Sequence, residues 1–171
     1  MPKKVYNNVA DHRVIDNDRV VEDVTKIGLP ETKHGTSTIS SAGMVMDVDM
    51  PNTTHLEAME FTIYHNNGVN CGHLSDPGKH VIEVRLARQQ YDVGQAEINH
   101  ESVKYRITGV YKGTQEGDIE TGSPIGSTEK YSVLRYEKEV NGEVEVLIDA
   151  MAGIIQHNGV NYTDEIENLL K

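Results

Sequence analysis

An Asn-Gly pair set between two alternating runs constrains this chain more than any other stretch of it. Over Tyr131–Asp149, YSVLRYEKEVNGEVEVLID, the pair Asn141-Gly142 suits the positive φ angles of a type I′ turn, and the flanking runs are rich in β-branched and aromatic residues. Tyr131, Val133 and Arg135 alternate with Ser132, Leu134 and Tyr136 on the first arm. Val144, Val146 and Ile148 alternate with Glu143, Glu145 and Leu147 on the second. Successive side chains of a strand point to opposite sides, so one face of the hairpin is apolar and the other carries Glu137, Glu139, Glu143 and Glu145. A lone hairpin is marginal in water, and further strands must cover its apolar face.

Candidate strands lie upstream. His12–Ile15 and Arg19–Lys26 flank the turn cluster Asp16-Asn17-Asp18 as a first hairpin, which Gly28-Leu29-Pro30 ends. Met44–Met50 alternates, with Met44, Met46, Val48 and Met50 on one side, and predicts a strand whose methionines fill a core or a subunit interface. Pro51-Asn52 predicts a turn, and Thr54–His65 a second long strand anchored by Met59, Phe61 and Ile63. Val81–Ala87 and Glu101–Lys112 also alternate, whereas Gln89–Asn99 is polar and without a clear period. Downstream, Asn158-Gly159 marks another short hairpin, and Thr163 is placed to cap a terminal helix with Ile166, Leu169 and Leu170 on its apolar face.

The intervening stretches have little to bury. Met1–Ala10 is expected to be a mobile arm, and Glu31–Gly43 an exposed Ser/Thr/Gly loop or a projecting hairpin. Asn66–Lys79 has room for no more than a short helical turn ahead of Asp76-Pro77-Gly78. The expected architecture is one mainly β domain over 1–171, a β-sandwich or barrel with a short flanking helix.

Composition narrows the function. Acidic residues outnumber Lys plus Arg by 27 to 16, and the formal charge of −11 repels nucleic-acid backbones and anionic membrane surfaces. No apolar run approaches the roughly 20 residues of a membrane span. Cys71 has no partner for an internal disulfide and nothing at the N-terminus reads as a signal peptide, so folding in a reducing compartment is expected. With no Trp and a single Phe61, the core falls to aliphatic residues and eight tyrosines, a thin core that fits either a subunit completed by neighbours in an assembly or a plain β-domain of modest stability.

Motifs for chemistry are missing. Cys71, His73 and His80 lack the second close-spaced ligand pair of a zinc site. There is no Gly-x-Ser-x-Gly elbow. The glycine-rich Gly113–Thr128 has no Gly-Lys-Ser/Thr, and its Glu116, Asp118 and Glu120 repel phosphate. No catalytic residue, metal or cofactor is expected.

The order of four stretches resembles the major tail tube protein of contractile-tailed phages and phage-tail-like bacteriocins (tailocins), a family related in fold to the tube protein of type VI secretion. They are Lys26-Ile27-Gly28-Leu29-Pro30 with the polar segment to Gly43; the strand pair around Val48 and Leu56–Ile63; Tyr105 through Gly113, Glu116, Asp118 and Gly122 to Glu129; and the tail with Asn141-Gly142, Ile148-Asp149, Asn158-Gly159-Val160 and Leu170. The segment Asn66–Gly78 departs from the pattern, being short and glycine-rich where such proteins carry a clearer helix.

The resemblance implies a non-enzymatic subunit that forms hexameric rings stacked into a hollow tube, inside a sheath and joined to baseplate and tail-terminator proteins. It places the chain in a virion tail or phage-tail-like particle assembled in the bacterial host cytoplasm, without membrane. A projecting segment at about 31–50 would bridge rings, with Thr36, Thr38, Ile39, Met44 and Met46 as interface candidates. Asp47, Asp49, Glu57 and Glu83 are candidates for an acidic lumen through which DNA passes without specific binding. The competing readings are a monomeric β-barrel ligand-binding module and a hydrolase with paired carboxylates.

Overall fold

A computed structural model describes residues 3–66 and 72–171. Twelve strands and one short helix follow in order: β1 (Lys4–Asp16), β2 (Arg19–Val21), β3 (Val24–Gly28), β4 (His34–Ile39), β5 (Val48–Leu56), β6 (Glu60–His65), β7 (Lys79–Asp92), β8 (Glu97–Glu116), β9 (Ser127–Val140), β10 (Glu143–Asp149), β11 (Ile154–His157), β12 (Val160–Asn161) and α1 (Asp164–Leu169). This is the mainly β sandwich with a short helix that the sequence predicts.

The main antiparallel sheet runs β12-β11-β10-β9-β8-β7-β1-β2, and it forks at β9. The first half of β9, Ser127–Ser132, pairs with β6, which in turn pairs with β3; the second half, from Arg135, pairs with β10. At the fork Thr108 faces Arg135 while Gly109 faces Val133, so Leu134 is an extra residue, a bulge that bends β9 from one layer into the other. Gly109 is required there, because a Cβ would stand 2.9 Å from the Ser132 carbonyl oxygen.

The core lies between the arms of the fork. Ile82, Ile107, Tyr136, Ile148 and Ile155 line up across five strands in one buried row. Phe61, Ile63 and Met59 close over it from the second layer, and Tyr131 sits fully buried among Phe61, Tyr111 and His80. The Tyr131 hydroxyl donates to the Leu74 carbonyl at 2.7 Å, which ties the 3-10 turn Gly72–Ser75 to the core. That turn is the short one expected before Asp76-Pro77-Gly78; residues 67–71 of the segment, Cys71 included, lie outside the described residues.

The turn chemistry holds where it is local. Asn141 and Gly142 have φ of 49° and 87°, and Asn158 and Gly159 have 48° and 82°, as type I′ hairpins require. Asn141 is also clamped to β8, its Oδ1 accepting from the Ser102 amide at 3.1 Å while its own amide donates to the Ser102 carbonyl at 2.9 Å.

Several expectations need correction. Residues 4–10, expected as a mobile arm, are the outer half of β1 and pair with β7; mixed polarity reflects a ribbon wet on both faces, not disorder. Met44–Asp47 is the tip of a hairpin and the strand begins at Val48, so the alternation of Met and Asp there is not a strand pattern. Pro51 and Asn52 lie within β5, where Pro51 faces Thr36 on a two-stranded sheet that has open edges to accommodate it. The long strand expected over Thr54–His65 is broken at Glu57–Met59, between β5 and β6. The polar stretch Gln89–Asn99 is the hairpin joining β7 to β8. Thr163 precedes α1 but has helical angles and makes no capping bond; its hydroxyl donates to Asn161 Oδ1 at 2.8 Å.

Candidate assembly surfaces

Three surfaces have no completion among the described residues: a projecting hairpin, an ion-paired sheet face and the two margins of the main sheet. The hairpin comprises β4 and β5, which pair with each other and with no strand of the sandwich. Its base is closed by the Glu57 amide donating to the Lys33 carbonyl at 2.7 Å and by the Lys33–Glu57 ion pair at 3.1 Å. The candidates Thr36, Thr38 and Ile39 lie along β4, and Met44 and Met46 at the tip; all five are exposed, Met46 to 71%. Asp49 faces Thr38 and accepts its hydroxyl at 2.7 Å, and Asp47 is an exposed tip residue.

The four acidic candidates therefore do not share one surface. Asp47 and Asp49 are on the hairpin, Glu57 is at its base against Lys33, and Glu83 is on the open face of the main sheet. On that face Glu83 belongs to a chain of ion pairs that crosses four strands: Arg85–Glu83, Glu83–Arg106 at 3.3 Å, Arg106–Glu137 at 3.2 Å, Glu137–Arg135 at 3.1 Å and Arg135–Asp149 at 3.3 Å. Three guanidinium groups cancel three carboxylates. Lys104–Glu139 at 3.2 Å extends the pairing on this face, and Lys138–Glu145 at 2.5 Å pairs on the other side of β9 beside Tyr136, so most of the glutamates read from sequence as a bare acidic face are neutralised. Only strand register reveals this, since Arg106 meets Glu83 and Glu137 across β7–β8–β9.

Environment shifts several of these groups. Burial would raise the Glu83 carboxyl, but Arg85 and Arg106 outweigh it and hold it below the usual carboxylate range. The Ala152 amide, with help from the Met151 amide and Arg135, keeps Asp149 low despite partial burial. Lys112 at 2.6 Å, and more weakly Lys130, lower Glu60. Burial, reinforced by Tyr105 and Glu145, pushes the Tyr136 hydroxyl up to about 12.

Of the histidines considered for metal binding, His73 and His80 both approach Asp16. His80 Nδ1 lies 3.0 and 3.1 Å from the two Asp16 oxygens and its Nε2 donates to the Asp76 carbonyl at 2.8 Å, so the ring locks β1 to the start of β7 in the interior. A second buried pair, His65–Glu129 at 2.7 Å, joins β6 to β9. Both serve packing, and among the described residues no cluster of His, Cys, Asp and Glu could hold a metal ion. No helix among them is long and apolar enough to cross a membrane. Two apolar clefts, of about 240 Å³ beside Leu56, Met59 and Val133 and about 270 Å³ beside Ile27, Leu29 and Leu86, mark the sandwich surface.

A sequence model of the phage tail tube protein FII family matches residues 11–170. The chain belongs to that family. It is a structural tail tube protein, a component of a phage or phage-tail-like particle, and not an enzyme. Searching curated protein sequences returns no significant match. Among solved structures the fold is similar to a chain of the PVC sheath–tube complex of an extracellular contractile injection system in its extended state, at TM-score 0.50 and 10% identity over 75% of this chain and 87% of the other. It is similar to a chain of the PVC sheath/tube terminator at 0.51 and 10%, covering 78% and 96%, and to the tube-terminating cap of the anti-feeding prophage at 0.50 and 13%, covering 75% and 87%. At these identities the likeness concerns the fold.

Proposed function

We propose that this tail tube protein polymerises as hexameric rings stacked into a conduit within a contractile sheath. The observation that carries the reading is the β4–β5 hairpin, a two-stranded sheet with Ile39, Met44, Met46 and Met50 in water and no further partner strand among the described residues. Hairpins of this size are marginal alone, and exposed methionine side chains adapt readily to a neighbouring surface. Thr36, Thr38, Ile39, Met44 and Met46 then form the contact between rings. A sheath and a terminator are partners by analogy with the complexes that share the fold, and a baseplate anchors the other end.

The lumen is suited to passage without capture. The chain carries −11 overall, and the sheet face with the Glu83–Arg106–Glu137 chain presents paired charges that leave no strong field for a polyanion or a polypeptide to bind. Among the described residues Asp47 and Asp49 make no ion pair, whereas Glu57 and Glu83 of the proposed lumen set are compensated by Lys33, Arg85 and Arg106. Negative-stain imaging of concentrated protein tests the reading: the intact chain forms rings or tubes with a central hole, and a variant lacking residues 40–47 keeps its fold but does not stack. An intact chain that stays monomeric at every concentration overturns it.

A further inference from the structure

The two margins of the main sheet differ in every property that decides which surface meets which. At one margin β2 covers only Val14–Asp16 of β1, so Lys4–Arg13 pair with β7 on one side and, among the described residues, with no strand on the other. Ten residues of open strand span about 33 Å. Val5, Tyr6 and Val9 are exposed along it. Shifts of register at Asn7 and Ala10 break its ladder, and such bulges discourage simple strand addition, which favours cover by a packed helix over part of the edge.

The opposite margin ends in β12, two residues long, and in α1, which buries none of its residues. Ile166, Leu169 and Leu170 form an apolar stripe in water, with Tyr162 and Val160 exposed beside it. A helix this short draws its stability from packing such a stripe, and nothing among the described residues covers it.

Charge then favours one pairing. On the β1 margin the cations Lys4 and Arg13 outweigh Asp11, and beside α1 the carboxylates of Asp164, Glu165 and Glu167 outweigh Lys171; among the described residues none of these makes an ion pair. Two β1 margins, each net positive, or two α1 margins, each net negative, would repel, whereas the unlike margins attract. A contact between unlike patches is heterologous and generates rings rather than closed dimers.

We propose that the ring closes head to tail, with the β12–α1 margin of one copy packed along the outer edge of β1 in the next. This rests on the ring reading above and specifies its lateral contact.

Cysteine cross-linking tests it on a Cys71→Ala background with Val9→Cys, Leu169→Cys and the double variant, all at exposed sites. Mild oxidation converts the double variant into a ladder of covalent oligomers, while each single variant stays uncross-linked and a mixture of the two yields only dimers. Reversing Lys4→Glu and Arg13→Glu lowers the ladder yield by about tenfold, as expected for opposed interface charges, and adding Glu165→Lys and Glu167→Lys restores it. Dimers from V9C alone overturn the proposal, since they report like-with-like margins. Rings seen by electron microscopy without a V9C/L169C ladder overturn it while sparing the ring reading; absence of both rings and ladder refutes the two together.

Discussion

Removing one oxygen from Tyr131 isolates the tie between the 3-10 turn and the sandwich. The side chain is fully buried, and its hydroxyl is 2.7 Å from the carbonyl of Leu74, which is itself fully buried. Tyr131→Phe keeps the ring contacts with Phe61, Tyr111 and His80 but strands that carbonyl away from solvent. Leaving a buried acceptor unsatisfied costs about 1–3 kcal/mol. For a domain of this size each kcal/mol lowers Tm by about 2–4 °C, so a loss near 2 kcal/mol is a shift of about 4–8 °C. The comparison is Tyr111→Phe, whose hydroxyl contacts Thr114 at an exposed position and whose loss stays within about 0.5 kcal/mol. Thermal melts by far-UV circular dichroism, at concentrations too low for assembly, read both. A Tyr131→Phe protein that melts with the wild type, or no lower than Tyr111→Phe, refutes the reasoning.

Other outcomes follow from the same interior and face. Asp16→Ala leaves the doubly hydrogen-bonded His80 without its carboxylate and costs about 3–5 kcal/mol in urea denaturation, while Asp16→Asn recovers part of the loss. Glu83 and Asp149 are held below their ordinary range, so they stabilise the fold above that range and lose the contribution as pH falls beneath it through their lowered pKa values. Arg106→Gln, which removes one cause of the Glu83 shift, therefore shrinks the drop in urea midpoint between neutral pH and about pH 3.5. Gly142→Ala places a Cβ at φ of 87° and destabilises by about 1–2 kcal/mol, read as a lower urea midpoint with unchanged slope.

Sequence reading succeeded where a feature is decided within a few residues. Asn141-Gly142 and Asn158-Gly159 set their own turns, and Ile82, Val84 and Ile107 alternate because one face of β7 and β8 meets the core. It failed where the partner is distant. Residues 4–10 and 88–99 form a ribbon beyond the core, so neither face imposes an apolar period, and only their mutual pairing makes them strands. The break at Glu57–Met59 marks where the chain leaves the hairpin for the sandwich, which no local pattern announces. For the surfaces, the Ser/Thr-rich composition of Glu31–Gly43 fits an exposed loop as well as a hairpin, and the neutralisation of the glutamates leaves no local trace. Arg106 and Glu83 are 23 positions apart, and His80 and Asp16 are 64 apart.

The fork at β9 has a mechanical consequence. Ser127–Ser132 is bonded to β8 on one side and β6 on the other, and Arg135–Val140 to β8 and β10, so this single strand is stitched into both layers along nearly its whole length. Shear that slides one layer over the other must rupture two rows of backbone bonds at once, instead of peeling an outer strand. In the proposed tube, a thrust along the axis would load that seam in shear rather than peel a single outer strand.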